Sequence, residues 1–330
     1  MYCILLNFLE NGYNTRTGRD GTMRDFTSAD SLKKRREDLY GLLGKLPDRL
    51  GEPEARTVET RIEGGVAVEK LVLELNGLEP VPAYFLKPAG AAGRLPLVVF
   101  NHSHGGFYGV GKEEALRSAP CLRQPAYGEA LTAEGYAVLC IDHWAFGERS
   151  GRTERQMFKE MLWRGRVMWG MMVFDSIRAV DYAVTRPDVD PDRIATLGMS
   201  MGGTMAWWLA ALDPRIRVTV DICSLAEYDA LLETGGYDGH SFYYFVPGLI
   251  GAFRAADICA LIAPRPHLSL AGEQDRFTPP AGLDSIDRDM RKLYRALGAE
   301  DRWRQLRFPV GHEETEEMRR EALAFLRRWL

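Results

Sequence analysis

The sequence predicts an α/β protein with a mostly parallel central sheet, antiparallel N-terminal strands and helices on both faces. Two patterns carry that prediction. Six compact strand candidates between residues 95 and 309 are mostly separated by helical stretches, and the first four of them are strongly apolar. Strands of that kind are buried on both faces, as in a parallel sheet covered by helices. Before them, three segments alternate apolar with polar residues, as half-exposed antiparallel strands do.

Residues 1 to about 25 mix Asn, Gly, Thr, Arg and Asp without periodicity and read as a loose arm. From Ser31 to Leu43, Leu32, Leu39, Leu42 and Leu43 recur at helical spacing, which gives an amphipathic helix before Pro47. Residues 1–50 are therefore read as arm and helix, and residues 51–330 as one catalytic domain.

That domain opens with strands at Arg56–Ile62, Val66–Leu75 and Val81–Leu86, the first two joined by a Gly64-Gly65 turn. The further strands are expected at "LPLVVFN" (95–101), "YAVLCID" (136–142), "RIATLGMS" (193–200), "IRVTVDIC" (216–223), "RPHLSLAG" (265–272) and "WRQLRFP" (303–309). A long helical stretch, about 154 to 184, is expected to be interrupted at Gly165 and Gly170 and to stop before Pro187. The aromatic, glycine-bearing segment within about 224–260 has the length of a lid-like insertion.

Composition narrows the function. A net charge of −4, with no Lys/Arg stripe interleaved with aromatics, argues against a nucleic-acid partner. The five cysteines are scattered, odd in number and never spaced C-x-x-C, so neither a disulfide framework nor a zinc site is expected. No run has the length of a membrane span and no secretory leader pattern is present, so a cytoplasmic location is the expectation. Homo-oligomerisation stays open.

The turn Gly198-Met199-Ser200-Met201-Gly202-Gly203 lies between an apolar strand and a helical run. G-x-S-x-G at such a junction is a nucleophile elbow: the turn is so tight that neighbouring positions must lack a Cβ. Ser200 Oγ then projects from the sheet at a helix N-terminus, where backbone N–H groups favour developing negative charge. A serine hydroxyl needs a base, and the base a carboxylate to orient it. In the order Ser, acid, His, each on a loop after a strand, the candidates are Asp275 and His312. Asp221, near the end of its own strand, is the rival acid. Of the other histidines in that contest, His143 precedes the serine and His267 sits at a strand start.

An oxyanion hole takes the N–H after the nucleophile, here Met201, and a second from the loop after an earlier strand. In "FNHSHGGFYG" that donor is His104, with Gly105 next. His102 and His104 at i, i+2 are weak as metal ligands because no further His/Asp/Glu cluster accompanies them. Phe107, Tyr108, Trp144 and Phe277 adjoin these loops and are pocket candidates, joined by His240 and Tyr243 of the insertion. Trp163 and Trp169, in "MLWRGRVMWGMMVF", are assigned mainly to packing.

The motifs "NHSHGG", "DHWAFGERSG", "GMSMGG", "GEQD" and "GHEE" together resemble the α/β-hydrolase superfamily, in its dienelactone-hydrolase-like and acetyl-xylan-esterase-like branch, over about residues 80–330. Two departures stand out. Dienelactone hydrolases carry cysteine at the nucleophile, where this chain has Ser200. Acetyl xylan esterases of this branch have Gln after the serine and an Arg-Gly-Gln element, where this chain has Met201 and no such element. The resemblance implies a serine esterase acting on a small ester with neither metal nor organic cofactor. A peptidase or amidase on the same triad, or a non-catalytic binding protein on the same fold, remain the alternative readings.

Overall fold

Nine strands form one sheet in the computed structural model, in the order β1-β2-β3-β5-β4-β6-β7-β8-β9. The structure describes residues 28–49 and 51–330; the expected arm and Cys3 lie outside them. The strands are β1 (Glu54–Glu63), β2 (Val66–Glu74), β3 (Val81–Pro88), β4 (Leu95–Asn101), β5 (Ala137–Ile141), β6 (Val189–Met199), β7 (Ile216–Ile222), β8 (His267–Gly272) and β9 (Trp303–Phe308). β1, β2 and β3 pair antiparallel, β3 also pairs antiparallel with β5, and all later pairings are parallel.

Exposure along the antiparallel strands differs from the expectation of three alike. β1 is the outer edge and is exposed almost throughout, β2 alternates, and β3 is buried on both faces up to Leu86. The cause is position in the sheet: β3 lies between β2 and β5. Its side chains enter both cores, Phe85 on one face and Tyr84 and Leu86 on the other. β4 divides in the same way, with Leu97 and Val99 in one core and Val98 and Phe100 in the other.

The N-terminal helix, Ala29–Gly41, has Ser28 as its cap, whose Oγ accepts from Ser31 N–H. Leu39 and Leu43 are fully buried in the same core as the sheet. Arg36 donates to the carbonyls of Ala211 and Leu261, tying the helix to two others.

The long helical stretch is two helices, Glu154–Trp163 and Met168–Thr185. The break sits at Gly165, whose φ of +68° is left-handed. Gly170 does not interrupt: it lies inside the second helix, where a Cβ would strike the Leu43 carbonyl oxygen. Its missing side chain admits the N-terminal segment. Trp169 is buried, whereas Trp163 is exposed, so the packing assignment fails for Trp163. Between β7 and β8 the chain forms the helices Tyr228–Thr234, Leu249–Ala252 and Ala255–Ala260 with two 3-10 turns. Among the described residues no helix is long and apolar enough to cross a membrane.

Parallel register brings the functional loops to one rim. Asn101 pairs with Gly198, Met199 with Ile222 and Gly272 with Phe308, so β4, β6, β7, β8 and β9 all end at the same edge. Ligands of open α/β sheets bind there.

Candidate active site

Ser200 occupies the turn between β6 and the helix Met201–Leu212 with φ +57° and ψ −120°. A non-glycine residue held in such a region costs on the order of 1–3 kcal/mol. The surroundings enforce it: Ser200 N–H donates to Ile222 O at 2.8 Å, and Thr204 N–H donates to Ser200 O at 2.9 Å. The glycines explain how the turn fits. A Cβ on Gly202 would run into the Asn101 backbone, and one on Gly198 into Gly202 itself. A Cβ on Gly203 would lie 2.6 Å from Ser224 Oγ, just after β7.

His312, on the loop after β9, places Nε2 2.8 Å from Ser200 Oγ. Its Nδ1 lies 2.7 Å from Asp275 Oδ2, on the loop after β8. A carboxylate only accepts, so Nδ1 carries the proton and Nε2 is free to accept from the serine hydroxyl. Asp275 is buried, and its other oxygen accepts from Phe277 N–H at 2.9 Å. Phe277 sets its ring edgewise to His312, 5.0 Å between centroids. The two loops are clasped by Glu273 N–H to Phe308 O and Gln274 N–H to Val310 O. Gly272 permits this approach, since a Cβ there would meet the Gly311 and Val310 carbonyls.

The rival acid is engaged elsewhere. Asp221 Oδ2 lies 2.8 Å from His267 Nε2, and Oδ1 accepts from the Ser224 and Ser269 hydroxyls.

The loop after β4 runs beside the serine. Ser103 is fixed by Glu114, whose carboxylate oxygens take its N–H at 2.9 Å and its hydroxyl at 2.6 Å. His104 follows. Gly106 N–H donates to its Nδ1, so its Nε2 carries the proton, pointing at Tyr243 Oη at 3.0 Å. Burial and the neighbouring imidazoles of His102 and His312 pull His104 down to about 4, so its ring is neutral at neutral pH. His102 turns elsewhere, with Nδ1 to Ser103 O and Nε2 accepting from His143 N–H. The i, i+2 histidines thus converge on no common point.

Ser200, Met201, His312, His104 and Gly105 border a cavity of about 700 Å³. Of the pocket candidates, Phe107, His240, Tyr243 and Phe277 also border it. Trp144 and Tyr108 do not. Trp144 is buried beneath the Arg149 guanidinium, 4.2 Å from its ring. Tyr108 stacks on Phe146 at 4.9 Å and donates its hydroxyl to Glu154. Sequence reasoning missed Tyr244, on which His240 stacks at 4.2 Å, and the wall residues Glu114, Cys121 and Cys223. Tyr244 stood in the aromatic run already singled out; Glu114 carried no motif.

The dienelactone hydrolase family model matches residues 83–225, which include the β4 loop and the serine turn. A Bacillus subtilis protein named "Putative hydrolase YtaP" is 51% identical over 298 residues, 90% of this chain and 99% of its own length. "Carbohydrate esterase MZ0003", from an unknown prokaryotic organism, is 26% identical over 84% of this chain and 77% of its own. Among solved structures, a glucuronoyl esterase from Solibacter usitatus superposes with a TM-score of 0.67 at 19% identity, covering 92% of this chain and 94% of that one. At that identity the match establishes the fold, an α/β-hydrolase sheet.

Proposed function

Since this chain belongs to the dienelactone hydrolase family of α/β-hydrolases, we propose that it is a serine esterase, with Ser200 as nucleophile, His312 as base and Asp275 as its orienting acid. The observation that carries the reading is the hydrogen-bonded chain from Ser200 Oγ through His312 to buried Asp275 at a cavity wall.

As Oγ attacks the ester carbonyl, His312 Nε2 takes its proton, and the Asp275 carboxylate stabilises the resulting imidazolium. Negative charge develops on the carbonyl oxygen and is met by backbone N–H groups of Met201 and His104, with Gly105 next along the loop. Met201 begins its helix, so its N–H has no intrahelical acceptor. The imidazolium then protonates the leaving alcohol, and the neutral ring activates water to release the acyl group. Serine in place of the family's cysteine makes this proton transfer obligatory, because a hydroxyl is a poor nucleophile unaided.

Residues 51–330 form the catalytic unit in this reading. The insertion at about 224–260 contributes His240, Tyr243 and Tyr244 to the cavity lining. The aromatic walls suit a small carboxylic ester. Esters of carbohydrates fall within that class, one relative being named a carbohydrate esterase, and the cytoplasm is the compartment that fits the four free cysteines among the described residues.

The test is labelling by a fluorophosphonate probe combined with turnover of p-nitrophenyl esters and aminoacyl anilides. Label confined to Ser200 and ester turnover that falls by about 10⁶ in kcat in Ser200→Ala are expected. An unlabelled protein would make the fold a receptor, and faster anilide than ester cleavage would make it an amidase.

A further inference from the structure

Beside the imidazole lies a third group that the proposed reaction does not use. Cys223 follows β7 with φ +50° and is almost fully buried. Its N–H donates to Leu270 O at 2.7 Å. The thiol is held against the relay: Cys223 Sγ, an Asp275 carboxylate oxygen and a His312 ring nitrogen all lie within 4.8 Å of one another. The thiol also has two backbone neighbours, the Glu313 carbonyl at 3.8 Å and Gly272. Among the described residues no other group of three potential metal ligands comes together in this way.

We propose that Cys223, His312 and Asp275 form an inhibitory site for a borderline-soft divalent cation, zinc above all, and that the cation silences the enzyme by capturing the imidazole in the wrong tautomer. The inference rests on the triad reading given above.

The donor set is one thiolate, one imidazole and one carboxylate, the combination preferred by Zn²⁺ rather than by Mg²⁺ or Ca²⁺. A tetrahedral zinc with ordinary bond lengths sets its ligand atoms about 3.3–3.6 Å apart. The Nδ1 to Oδ2 separation of 2.7 Å must therefore widen by somewhat under 1 Å and the sulfur close in. Both are side-chain adjustments. Cys223 and His312 both border the cavity, from which water would take the fourth position.

Protons and charge balance. Before binding, Nδ1 and the thiol each carry a proton and Asp275 carries one negative charge. On binding, the thiol proton leaves to solvent and the imidazole proton moves from Nδ1 to Nε2. Sγ, Nδ1 and the carboxylate then ligate the metal. Two positive charges meet one thiolate and one carboxylate, so the buried cluster is neutral, which a desolvated site favours. Nε2, now N–H, points at Ser200 Oγ and cannot accept its proton. The nucleophile is intact but unactivated.

The experiment is zinc chloride titration of p-nitrophenyl ester hydrolysis in metal-free buffer, with reversal by EDTA. It is run on wild type, Cys223→Ala and Cys223→Ser, each against its own metal-free rate. Wild type should be inhibited reversibly, and half-inhibition of the Cys223 variants should need at least about 10-fold more zinc, the lower end for losing a metal-site partner. A second reading needs no activity: Co²⁺ added to wild type should give a thiolate-to-cobalt charge-transfer band that is lost in Cys223→Ala and in His312→Ala. Equal zinc sensitivity in wild type and the Cys223 variants, or cobalt-bound protein without a thiolate band, would overturn the proposal. A wild type that hydrolyses no ester yet shows the band would instead sink the esterase reading and leave the metal site standing.

Discussion

Asp221 and His267 form a second carboxylate–imidazole pair, Oδ2 to Nε2 at 2.8 Å, joining adjacent strands of the sheet that carries the Asp275–His312 pair. The pairs differ in what the far side of the ring meets. His312 faces Ser200 Oγ, whereas His267 Nδ1 is buried without a hydrogen-bond partner and its ring packs edgewise on Trp303 at 5.0 Å. One imidazole has somewhere to take a proton from, and the other is sealed in a wall.

Substituting the two acids should therefore separate chemistry from stability. Asp275→Asn keeps the shape but favours the wrong His312 tautomer, and kcat should fall by about 10⁴ with little change in the denaturation midpoint. Asp221→Ala strands the Ser224, Ser269 and His267 donors, at about 1–3 kcal/mol each. It should unfold at markedly lower urea while its folded fraction still takes a fluorophosphonate label at Ser200. An Asp221→Ala protein that is stable but unlabelled would reverse the assignment.

Much of this was legible in the sequence because the chemistry sits at strand ends. Strand boundaries are marked by apolar runs, so the sequence alone puts Ser200, Asp275 and His312 on one rim. What failed was orientation. Trp144 and Tyr108 neighbour functional loops along the chain, yet one turns under Arg149 and the other stacks on Phe146. Adjacency in sequence carries no information about which side of a loop faces a cavity. Gly170 misled for a related reason, since a glycine needed for close packing looks the same as one that breaks a helix. Glu114, in a four-residue helix with no periodic signature, became visible only through its two bonds to Ser103.

The serine turn predicts a sharp contrast between two glycines. In Gly202→Ala the new Cβ meets the Asn101 backbone and lies 2.9 Å from His102 O, with nowhere to go because both belong to backbone. The β4 loop must shift, and with it His104. Overpacking of this kind costs about 1–3 kcal/mol, and kcat should drop more than KM rises. Gly109, on the same loop, has open space around a Cβ. Gly109→Ala should match wild type in both melting temperature and turnover, and a matching loss in the two variants would remove the steric argument.

Glu114 gives the pH prediction. Its carboxyl is buried against the cavity wall, and desolvation pushes it up to about 7, against the opposing pull of the two Ser103 donors. The folded state therefore holds this proton more tightly than the unfolded chain, where the group titrates near 4.5. The resulting stabilisation is fully present below about 4.5 and is lost as the pH rises through about 7. At 1.36 kcal/mol per pH unit it amounts to about 3 kcal/mol. Glu114→Gln carries no titrating proton, so the stability of wild type minus that of the variant should fall by that order between pH 4.5 and 8. Urea midpoints taken at fixed ionic strength across this range measure the difference directly. Parallel curves for the two proteins would mean that Glu114 is ionised throughout, and that Ser103 binds its carboxylate strongly enough to offset the burial.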